Sequence, residues 1–335
     1  MITAHDIIQS PTWFPLESDG DAMRLVRLDE AAYRAASFLD QRLLKGGYEQ
    51  AKCSAEVIRA AGAQLPIRAH YIFHTGHVGS TLISRLIGEH ERIFSVREPA
   101  LLRTLLSYSQ QPGGVAILNA VRALLSRTWR PQQRAVVKVT SFANELAETL
   151  LTGADDPAAI FMFASPLAYL RGILGGPNSR VEARMLAPGR LQRLARRLGE
   201  GAWRPDPDSE GEHIAMSWLC EMTVLHQAAS RCGSRVLWVD FDAFLGNPAD
   251  GLQAIFRALG ADMARSDIEA LVGSPLMNQY SKAPEYAYDA ALRQEVLMSA
   301  DQEHAQEIRR GMLWLRNVAT RHALVAEVLE RSARV

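Results

Sequence analysis

The sequence predicts an α/β fold in which a doubly wound parallel sheet of about five strands is flanked by helices. Five short apolar runs alternate with segments of helical periodicity, and that alternation is typical of parallel sheets covered on both faces. The fourth run, 159–163, is continuous and apolar, as a central strand buried on both faces should be. The chain has 335 residues, 48% of them hydrophobic, which is enough for a substantial core.

Composition narrows the classes of protein that the chain can represent. Lys plus Arg and Asp plus Glu both number 37, so the formal net charge is zero and a general nucleic-acid binder is not expected. No apolar run reaches the roughly 20 residues that span a bilayer. The start lacks a basic, apolar signal peptide, and the three cysteines lack metal-ligand spacing. We therefore expect a cytoplasmic protein without a membrane or nucleic-acid partner; nothing here predicts its oligomeric state.

The first 66 residues are predicted to form an extension before a single globular unit at 67–335. Prolines and a glycine interrupt residues 1–20, which favours an irregular arm. Apolar residues at helical spacing predict helices at 29–46 and 50–61, the first one beginning at a capping aspartate and ending at a Gly-Gly pair. This helical extension carries no residues that suggest chemistry.

The main unit shows the alternation of strands and helices in order. The predicted strands are 71–73, 93–96, 135–139, 159–163 and 235–240. The predicted helices are 80–88, 99–110, 115–128, 144–151, 165–174, 212–231 and 250–259, followed by a largely helical C-terminal extension with a loop at 273–288. Ligands of such sheets lie beyond the carboxyl ends of the strands, which places the loop at 74–81 at one crevice with side chains from the later strands.

The loop between the first strand and its helix has the layout of a phosphate cradle. Glycines let the backbone approach an anion closely, and the free N–H groups and dipole of the following helix favour negative charge. Two hydroxyl side chains open that helix. An ordinary Gly-containing turn from strand to helix is the alternative interpretation. The candidate ligand residues are Gly76, His77, Val78, Gly79, Ser80 and Thr81.

The spacing of this loop differs from that of the common nucleoside-triphosphate loop, because no Lys follows Gly79. It resembles instead the 5′-phosphosulfate loop of sulfotransferases, in which a Lys or Arg precedes a small residue, a Gly and two Ser/Thr residues. Gly79, Ser80 and Thr81 match that pattern. His77 stands where the Lys or Arg would be; a protonated His77 can donate to a leaving oxygen, although its ordinary pKa of about 6.5 makes it a poorer permanent cation.

Further segments extend the resemblance over about residues 67–290. The run from Gly79 through His90 to Arg97-Glu98 is similar to the start of tyrosylprotein-type sulfotransferases, and Glu98 falls on the position of their general base. The segment VLWVDFDAFLGNPADGLQAIFRALG resembles the family's late strand, turn and helix. The segment MNQYSKAPE resembles the loop in which Ser and Lys close over the nucleotide, here Ser281 and Lys282.

The resemblance implies transfer of a sulfuryl group from 3′-phosphoadenosine 5′-phosphosulfate to a hydroxyl or amine of a small or carbohydrate-like acceptor. Glu98 would take the acceptor proton, and cationic donors would stabilise charge on the leaving oxygen. Lys138, on the third strand, is a candidate for the second task. A Lys in an apolar strand is costly to bury without a partner. An ion pair with a carboxylate is therefore the alternative explanation for Lys138.

One motif departs from the family pattern. There the fourth strand ends in an Arg two residues before a Pro, with a Ser six residues after it, and both hold the 3′-phosphate of the donor. Around Pro166 those positions are Ala164 and Gly172. Ser165 and Arg171, each one residue away, are the candidate substitutes.

Two other functions remain open on the sequence. In a small-molecule kinase, Lys138 or an Arg from the arginine-rich stretch 180–197 would replace the loop Lys, Ser80 or Thr81 would bind Mg²⁺, and Asp240 is the candidate acid at a strand end. That stretch is either a solvated face or a lid or surface for anionic substrates. Alternatively, the chain is a degenerate binding protein. The replacement of the family's Arg and Ser by Ala164 and Gly172 favours this hypothesis, and a crevice filled by side chains would support it.

Overall fold

Five parallel strands form the central sheet of the computed structural model, which describes residues 2–108, 114–152, 157–199, 206–232, 235–279 and 287–334. Three antiparallel strands form a second sheet before it. In chain order the strands are β1 (Trp13–Ser18), β2 (Ala22–Arg27), β3 (Gln50–Ser54), β4 (His70–His74), β5 (Ile93–Arg97), β6 (Arg134–Lys138), β7 (Ala159–Phe163) and β8 (Val236–Asp240).

Helices cover the sheet and make up the C-terminal part of the chain. They are α1 (Ala4–Ile8), α2 (Glu30–Ala35), α3 (Ala55–Gly62), α4 (Ser80–Ile87), α5 (Leu101–Tyr108), α6 (Gly114–Leu125), α7 (Ala147–Leu151), α8 (Pro166–Leu174), α9 (Pro177–Leu198), α10 (Glu210–Cys232), α11 (Phe241–Gly246), α12 (Pro248–Ala258), α13 (Arg265–Val272), α14 (Ala290–Glu303), α15 (Ala305–Ala319) and α16 (Ala323–Arg334). Among the described helices, none has both the length and the apolar character that crossing a bilayer requires.

The strand order β5-β6-β4-β7-β8 confirms the predicted fold class. All four neighbouring pairs are parallel, so the carboxyl ends of the strands meet at one edge of the sheet. The first strand of the sheet, β4, lies at its centre between β6 and β7. After β4 the chain adds strands first on one side of it and then on the other. Ligands of such sheets bind at the point where this change of side occurs.

The two faces of the sheet belong to different hydrophobic cores. Alternate side chains of β4 show the division. Ile72 belongs to a core that also contains residues of α4, α8 and α12, whereas Tyr71 and Phe73 belong to one that contains residues of α3, α6 and the antiparallel sheet. Successive side chains of a strand point to opposite faces, so a continuous apolar run supplies both layers. This is why the central strands could be recognised as apolar runs without alternation.

The predicted helical extension at the N-terminus is wrong in one respect, because residues 13–54 contain the three-stranded antiparallel sheet. Pro15 suggested an irregular arm, but it lies in the edge strand β1, where the pairing register shifts between Pro15 and Glu17. An edge strand at an irregularity is where a proline is tolerated. The segment predicted as the helix 50–61 begins with β3 and becomes helical only at Ala55.

Two buried arginines attach this N-terminal sheet to the main unit. Arg127 donates to the carbonyl oxygens of Ile7, Ser10 and Trp13, and Arg97 donates to three carbonyl groups in and after α2. Burial lowers the pKa of both guanidinium groups to about 10. Their charges are therefore solvated by backbone carbonyls instead of water, which ties the N-terminal segment to the core.

Candidate active site

Two cavities open at the carboxyl edge of the sheet and share a wall made of His74, His77 and Ser179. The loop cavity has a volume of about 240 Å³ and is bordered by Gly79, Ser80, Thr81, Phe241, Tyr288 and Arg293. The Glu98 cavity has a volume of about 400 Å³ and is bordered by Phe38, Arg42, Glu98, Arg103, Thr140 and Glu182. The crevice expected from the sequence is therefore open on both sides of that wall.

The loop between β4 and α4 is held in a left-handed backbone conformation at three positions. Gly76 has a φ of 92°, His77 of 55° and Gly79 of 62°. A Cβ atom on Gly79 would also lie 2.0 Å from the ring of Phe241. Glycine is required at position 79 for both reasons, whereas His77 adopts a conformation that is uncommon for a residue with a side chain.

This loop presents donors to an anion. In the described part of the chain, no acceptor meets the N–H groups of residues 77–82, and the first intrahelical bond of α4 runs from Ile83 N–H to the carbonyl of Gly79. The buried hydroxyl of Thr81 also has no hydrogen-bond partner among the described residues. Orphaned donors at a helix start, next to an unsatisfied hydroxyl, fit the oxygens of a phosphate or phosphosulfate group.

His77 sits on the shared wall and contacts the start of α9. Its Nδ1 lies 3.3 Å from the Ser179 hydroxyl, and its Nε2 lies 3.3 Å from Oε2 of Glu182. The imidazole thus borders both cavities, which is the position required of a group that acts on a bond between donor and acceptor. Its proposed role as the replacement for a catalytic Lys or Arg stays a prediction.

Glu98 follows the end of β5 and lines the larger cavity. Its N–H donates to the carbonyl of Lys138 over 2.8 Å, and its φ of 48° is left-handed. Such a conformation costs of order 1–2 kcal/mol for a non-glycine residue. It is found at functional sites when the surroundings enforce it. The carboxylate contacts the ammonium of Lys138 and lies 3.8 Å from Arg103 Nη2.

Lys138 is fully buried and borders neither cavity. Its Nζ donates to Oε1 of Glu98, in register with β5 because Arg97 pairs with Lys138 across the sheet. The ion-pair alternative is therefore what the structure shows. Lys138 is placed to orient Glu98 and compensate its charge, and a direct contact with a donor phosphate stays a prediction.

His74 is a site residue that the sequence analysis missed. It ends β4 and borders both cavities. Its Nδ1 accepts a hydrogen bond of 3.1 Å from the N–H of Gly76, so a neutral ring carries its proton on Nε2. That Nε2 lies 3.9 Å from Oε1 of Glu98. Its position at the carboxyl end of the first parallel strand could have identified it as a site residue from the sequence.

The candidate substitutes at the second phosphate site lie away from the loop cavity. Ser165 caps α8 by accepting from the N–H of Ala168, and Arg171 forms an ion pair of 2.7 Å with Asp301. Of this group, Gly172 borders the cavity. The assignment of Ser165 and Arg171 to a 3′-phosphate therefore stays a prediction and gains no support from their contacts.

Arg293 of α14 is a second residue that the sequence analysis missed. It is buried and borders the loop cavity, and its Nη1 lies 4.0 Å from the position a Cβ atom would take on Gly172. Two hydrogen bonds join it to Asp242, and its guanidinium lies 4.8 Å from the ring centroid of Phe241. Burial lowers its pKa, but the Asp242 carboxylate outweighs burial, so the pKa is raised overall.

Two predicted nucleotide ligands, Ser281 and Lys282, lie outside the described residues. The described chain on either side of them reaches the loop cavity through Gln279 and Tyr288. Gln279 also forms an isolated antiparallel bridge with Ala287. The roles of Ser281 and Lys282 stay predictions.

The arginine-rich stretch forms most of α9, and carboxylates neutralise its arginines. Glu210 pairs with two of them, Glu221 with two and Glu145 with two. The interpretation as a solvated face is therefore wrong for Arg190, Arg193 and Arg197, whose paired side chains are largely buried. It holds for Arg184, whose side chain is 63% exposed although it pairs with Glu210.

Asp240, the acid considered for a magnesium site, is engaged by the backbone. Its carboxylate accepts hydrogen bonds of 2.9 Å from the N–H groups of Asp242 and Ala243 at the start of α11. Burial raises its pKa. These contacts give Asp240 a capping role, and no contact of the described residues favours the kinase hypothesis.

Comparisons with known proteins find a likeness among solved structures. No protein-family model and no curated protein matches the chain. A sulfotransferase domain from the curacin biosynthetic pathway is 14% identical, with 75% of this chain and 98% of that chain covered and a TM-score of 0.42. A sulfotransferase domain from the olefin synthase of Synechococcus PCC 7002 is 15% identical, with 81% and 96% covered and a TM-score of 0.43. Mouse sulfotransferase SULT7A1 complexed with PAP is 10% identical, with 82% and 94% covered and a TM-score of 0.42. At these values the likeness assigns no function to this chain.

Proposed function

We propose that this protein transfers a sulfuryl group from 3′-phosphoadenosine 5′-phosphosulfate to a hydroxyl or amine of a small polar acceptor. The observation that carries this proposal is the shared wall. A cavity with an anion cradle and a cavity with a buried carboxylate meet at His74, His77 and Ser179. A group held by the cradle can therefore be reached by an acceptor beside Glu98.

The residues divide the reaction between the two cavities. Glu98 accepts the proton of the acceptor hydroxyl as its oxygen bonds to sulfur. The bond between sulfur and the 5′-phosphate oxygen breaks, and the electron pair stays on that oxygen. The N–H groups of residues 77–82 and the Thr81 hydroxyl stabilise the negative charge there, together with His77 when it is protonated. The products are a sulfate ester and adenosine 3′,5′-bisphosphate.

Arg293 supplies the cation that this donor needs in place of the missing family residues. The 3′-phosphate requires a second anion site, and Ala164 cannot provide one. Arg293 lies beside Gly172, in the same cavity as the loop, and Phe241 provides an apolar surface next to it. Nε and Nη2 of Arg293 donate to Asp242, so the nitrogen that would meet a phosphate oxygen is Nη1, which faces Gly172.

The open crevice supports an enzyme over a degenerate binding protein. Side chains fill neither cavity, and Glu98 holds a strained backbone conformation at the wall of one of them. The ion pair with Lys138 also compensates the negative charge of the Glu98 carboxylate at the cavity wall. These features are costly to fold and useful for proton transfer.

Calorimetric titration with adenosine 3′,5′-bisphosphate, beside ATP with Mg²⁺, tests the donor site. We expect the bisphosphate to bind and ATP to bind weakly. Thr81→Val should weaken bisphosphate binding about 10- to 100-fold, because it removes a hydrogen bond to a charged group. It should not destabilise the fold, because the hydroxyl has no partner among the described residues.

Thr75→Val is the matched control. Its hydroxyl is equally buried and also has no described partner, but Thr75 borders neither cavity. Binding should therefore be unchanged. A second pair compares Arg293→Gln, expected to weaken bisphosphate binding at least tenfold, with Arg171→Gln; a loss of binding in Arg171→Gln instead would assign the 3′-phosphate to the substitute predicted from the sequence. Binding of ATP with Mg²⁺ alone would support the kinase hypothesis, and binding of neither nucleotide would contradict the proposed donor.

A further inference from the structure

We propose that the acceptor is a small hydroxy acid whose anionic group is held by Arg103 and whose reacting hydroxyl lies on a neighbouring carbon. This inference rests on the proposed function and assigns the Glu98 cavity a class of acceptor. Arg103 is placed as a specificity-determining residue on the same wall as Glu98.

The walls of the Glu98 cavity are mainly polar. Hydroxyl or amide groups come from Thr140, Ser141, Tyr169, Asn178 and Ser179. A pocket for a steroid or a bulky phenol is lined predominantly by apolar and aromatic side chains. A volume of about 400 Å³ with such walls fits instead a small molecule that carries several polar groups.

Arg103 makes fewer hydrogen bonds to the described residues than Arg42, the other guanidinium on this wall. Its Nη2 donates to the Thr140 hydroxyl over 3.2 Å, whereas its Nε and Nη1 have no acceptor among the described residues. Half of its side chain is exposed. Arg42, the neighbouring cation, is held by Asp40 through both Nε and Nη2 and stacks on Phe38.

The charges facing Arg103 favour an anion at this wall. Glu98 is paired with the buried Lys138, and Arg42 is paired with Asp40, so the positive charge that remains for an anion on this side of the cavity is that of Arg103. On the opposite side, Glu182 is half exposed beside His77, and Arg190 is neutralised by Glu221. An anionic acceptor is therefore attracted to the Arg103 side and repelled by Glu182, which fixes its orientation.

The distance between Arg103 and Glu98 limits how far apart the two acceptor groups can be. Arg103 Nη2 lies 3.8 Å from Oε2 of Glu98, which is beyond hydrogen-bond distance. An acceptor anion that binds Arg103 thus brings its adjoining atoms next to Glu98. A hydroxyl on the carbon next to the one bearing the anionic group meets this requirement, as in uronic acids and ortho-hydroxybenzoic acids.

The test measures sulfate-ester formation from 3′-phosphoadenosine 5′-phosphosulfate with two matched acceptor pairs. They are methyl glucuronoside with its uronamide, and salicylate with salicylamide. In each pair the acid and the neutral amide are nearly isosteric. We expect the wild-type protein to prefer at least one acid by about 10- to 100-fold in kcat/KM, the range for a hydrogen-bonded charge.

Arg103→Gln should abolish that preference, lowering kcat/KM for the acid while changing the amide by no more than about threefold. Arg42→Gln, the matched control on the same wall, should retain the preference because Asp40 already occupies Arg42. Arg103 is half exposed, so the variant is expected to fold, and its melting temperature and affinity for adenosine 3′,5′-bisphosphate verify this.

Three results would overturn the inference and leave the proposed function standing. They are equal turnover of acid and amide, a preference that survives Arg103→Gln, and bisphosphate binding without transfer to any of the four acceptors. A fourth result, in which neither bisphosphate binding nor transfer is observed, would remove the proposed function and this inference with it. The binding measurement separates the two failures.

Discussion

Two buried carboxylates at the carboxyl edge of the sheet, Glu98 and Glu221, have opposite surroundings. Hydrogen bonds saturate Glu221: its Oε1 accepts from Arg190 and Arg193 over 2.9 Å, and its Oε2 accepts from Asn144 over 3.0 Å. Glu98 contacts Lys138 through Oε1, lines a cavity and has a left-handed backbone. Saturated hydrogen bonding marks Glu221 as a structural residue, whereas the strained backbone of Glu98 and its access to the cavity are the reasons for proposing Glu98 as the base.

The largest expected effect comes from Glu98→Gln, which keeps the shape of the side chain and removes its basicity. We expect kcat for sulfuryl transfer to fall about 10²- to 10⁴-fold, the usual contribution of a general base. Affinity for adenosine 3′,5′-bisphosphate should be retained because Glu98 does not border the loop cavity. Activity assays on the folded fraction check this, and unchanged turnover would remove the catalytic role of Glu98.

Glu221→Gln should instead act on stability. It leaves buried arginines without their carboxylate, and breaking such a pair costs about 3–5 kcal/mol. We expect chemical denaturation to show this loss of unfolding free energy, with turnover per folded molecule changed far less than in Glu98→Gln. A variant that folds normally but loses turnover as severely as Glu98→Gln would erase the contrast between the two carboxylates.

The double variant Glu98→Gln with Lys138→Met separates the two roles of the Glu98 pair. Glu98→Gln alone takes the carboxylate away from a buried ammonium, which costs stability. Replacing the ammonium by an apolar group of similar length should recover about 1–3 kcal/mol of that loss. Turnover should stay as low as in the single variant; recovery of turnover would mean that Glu98 acts only through the charge of Lys138.

The smallest effect is expected at Glu210, a third carboxylate, which borders neither cavity. Hydrogen bonding to Arg180, and then to Arg184, lowers the pKa of Glu210. A lowered pKa stabilises the fold at pH values above the unfolded value of about 4.3, and that stabilisation is lost as the pH falls through the folded value. Glu210→Gln should therefore cost up to about 1 kcal/mol at pH 7, given solvent screening. The difference from wild type should shrink as the pH falls below the unfolded value; a constant difference would point to packing.

The sequence was sufficient for the central sheet because its strands carry a local signal. Each is a short apolar run, and all five runs became parallel strands of that sheet. The antiparallel sheet had a weaker signal. Pro15 interrupts β1, and the segment that contains β3 continues without a break into α3, so the pattern favoured helix. Pairing with β2, which is a tertiary interaction, decided the outcome.

The residues of the candidate site also fall into those that the sequence could predict and those that it could not. Glu98 and the loop at 74–81 follow strands, so their meeting at one edge could be predicted from the order of elements. Arg293 could not be predicted, because it lies in α14, about 200 residues after the loop, and no motif surrounds it. Its place beside Gly172 depends on the packing of α14 against α8. Long-range packing leaves no signature in a single sequence.

The wall shared by the two cavities has a consequence for steady-state kinetics. Both cavities open along it, so a donor held by the loop and an acceptor beside Glu98 can be bound at the same time. The direct transfer proposed above requires both to be present together, whereas a covalent intermediate on His74 or His77 would let the bisphosphate leave before the acceptor binds. Double-reciprocal plots at several fixed donor concentrations should intersect, as in a sequential mechanism, and adenosine 3′,5′-bisphosphate should inhibit competitively against the donor.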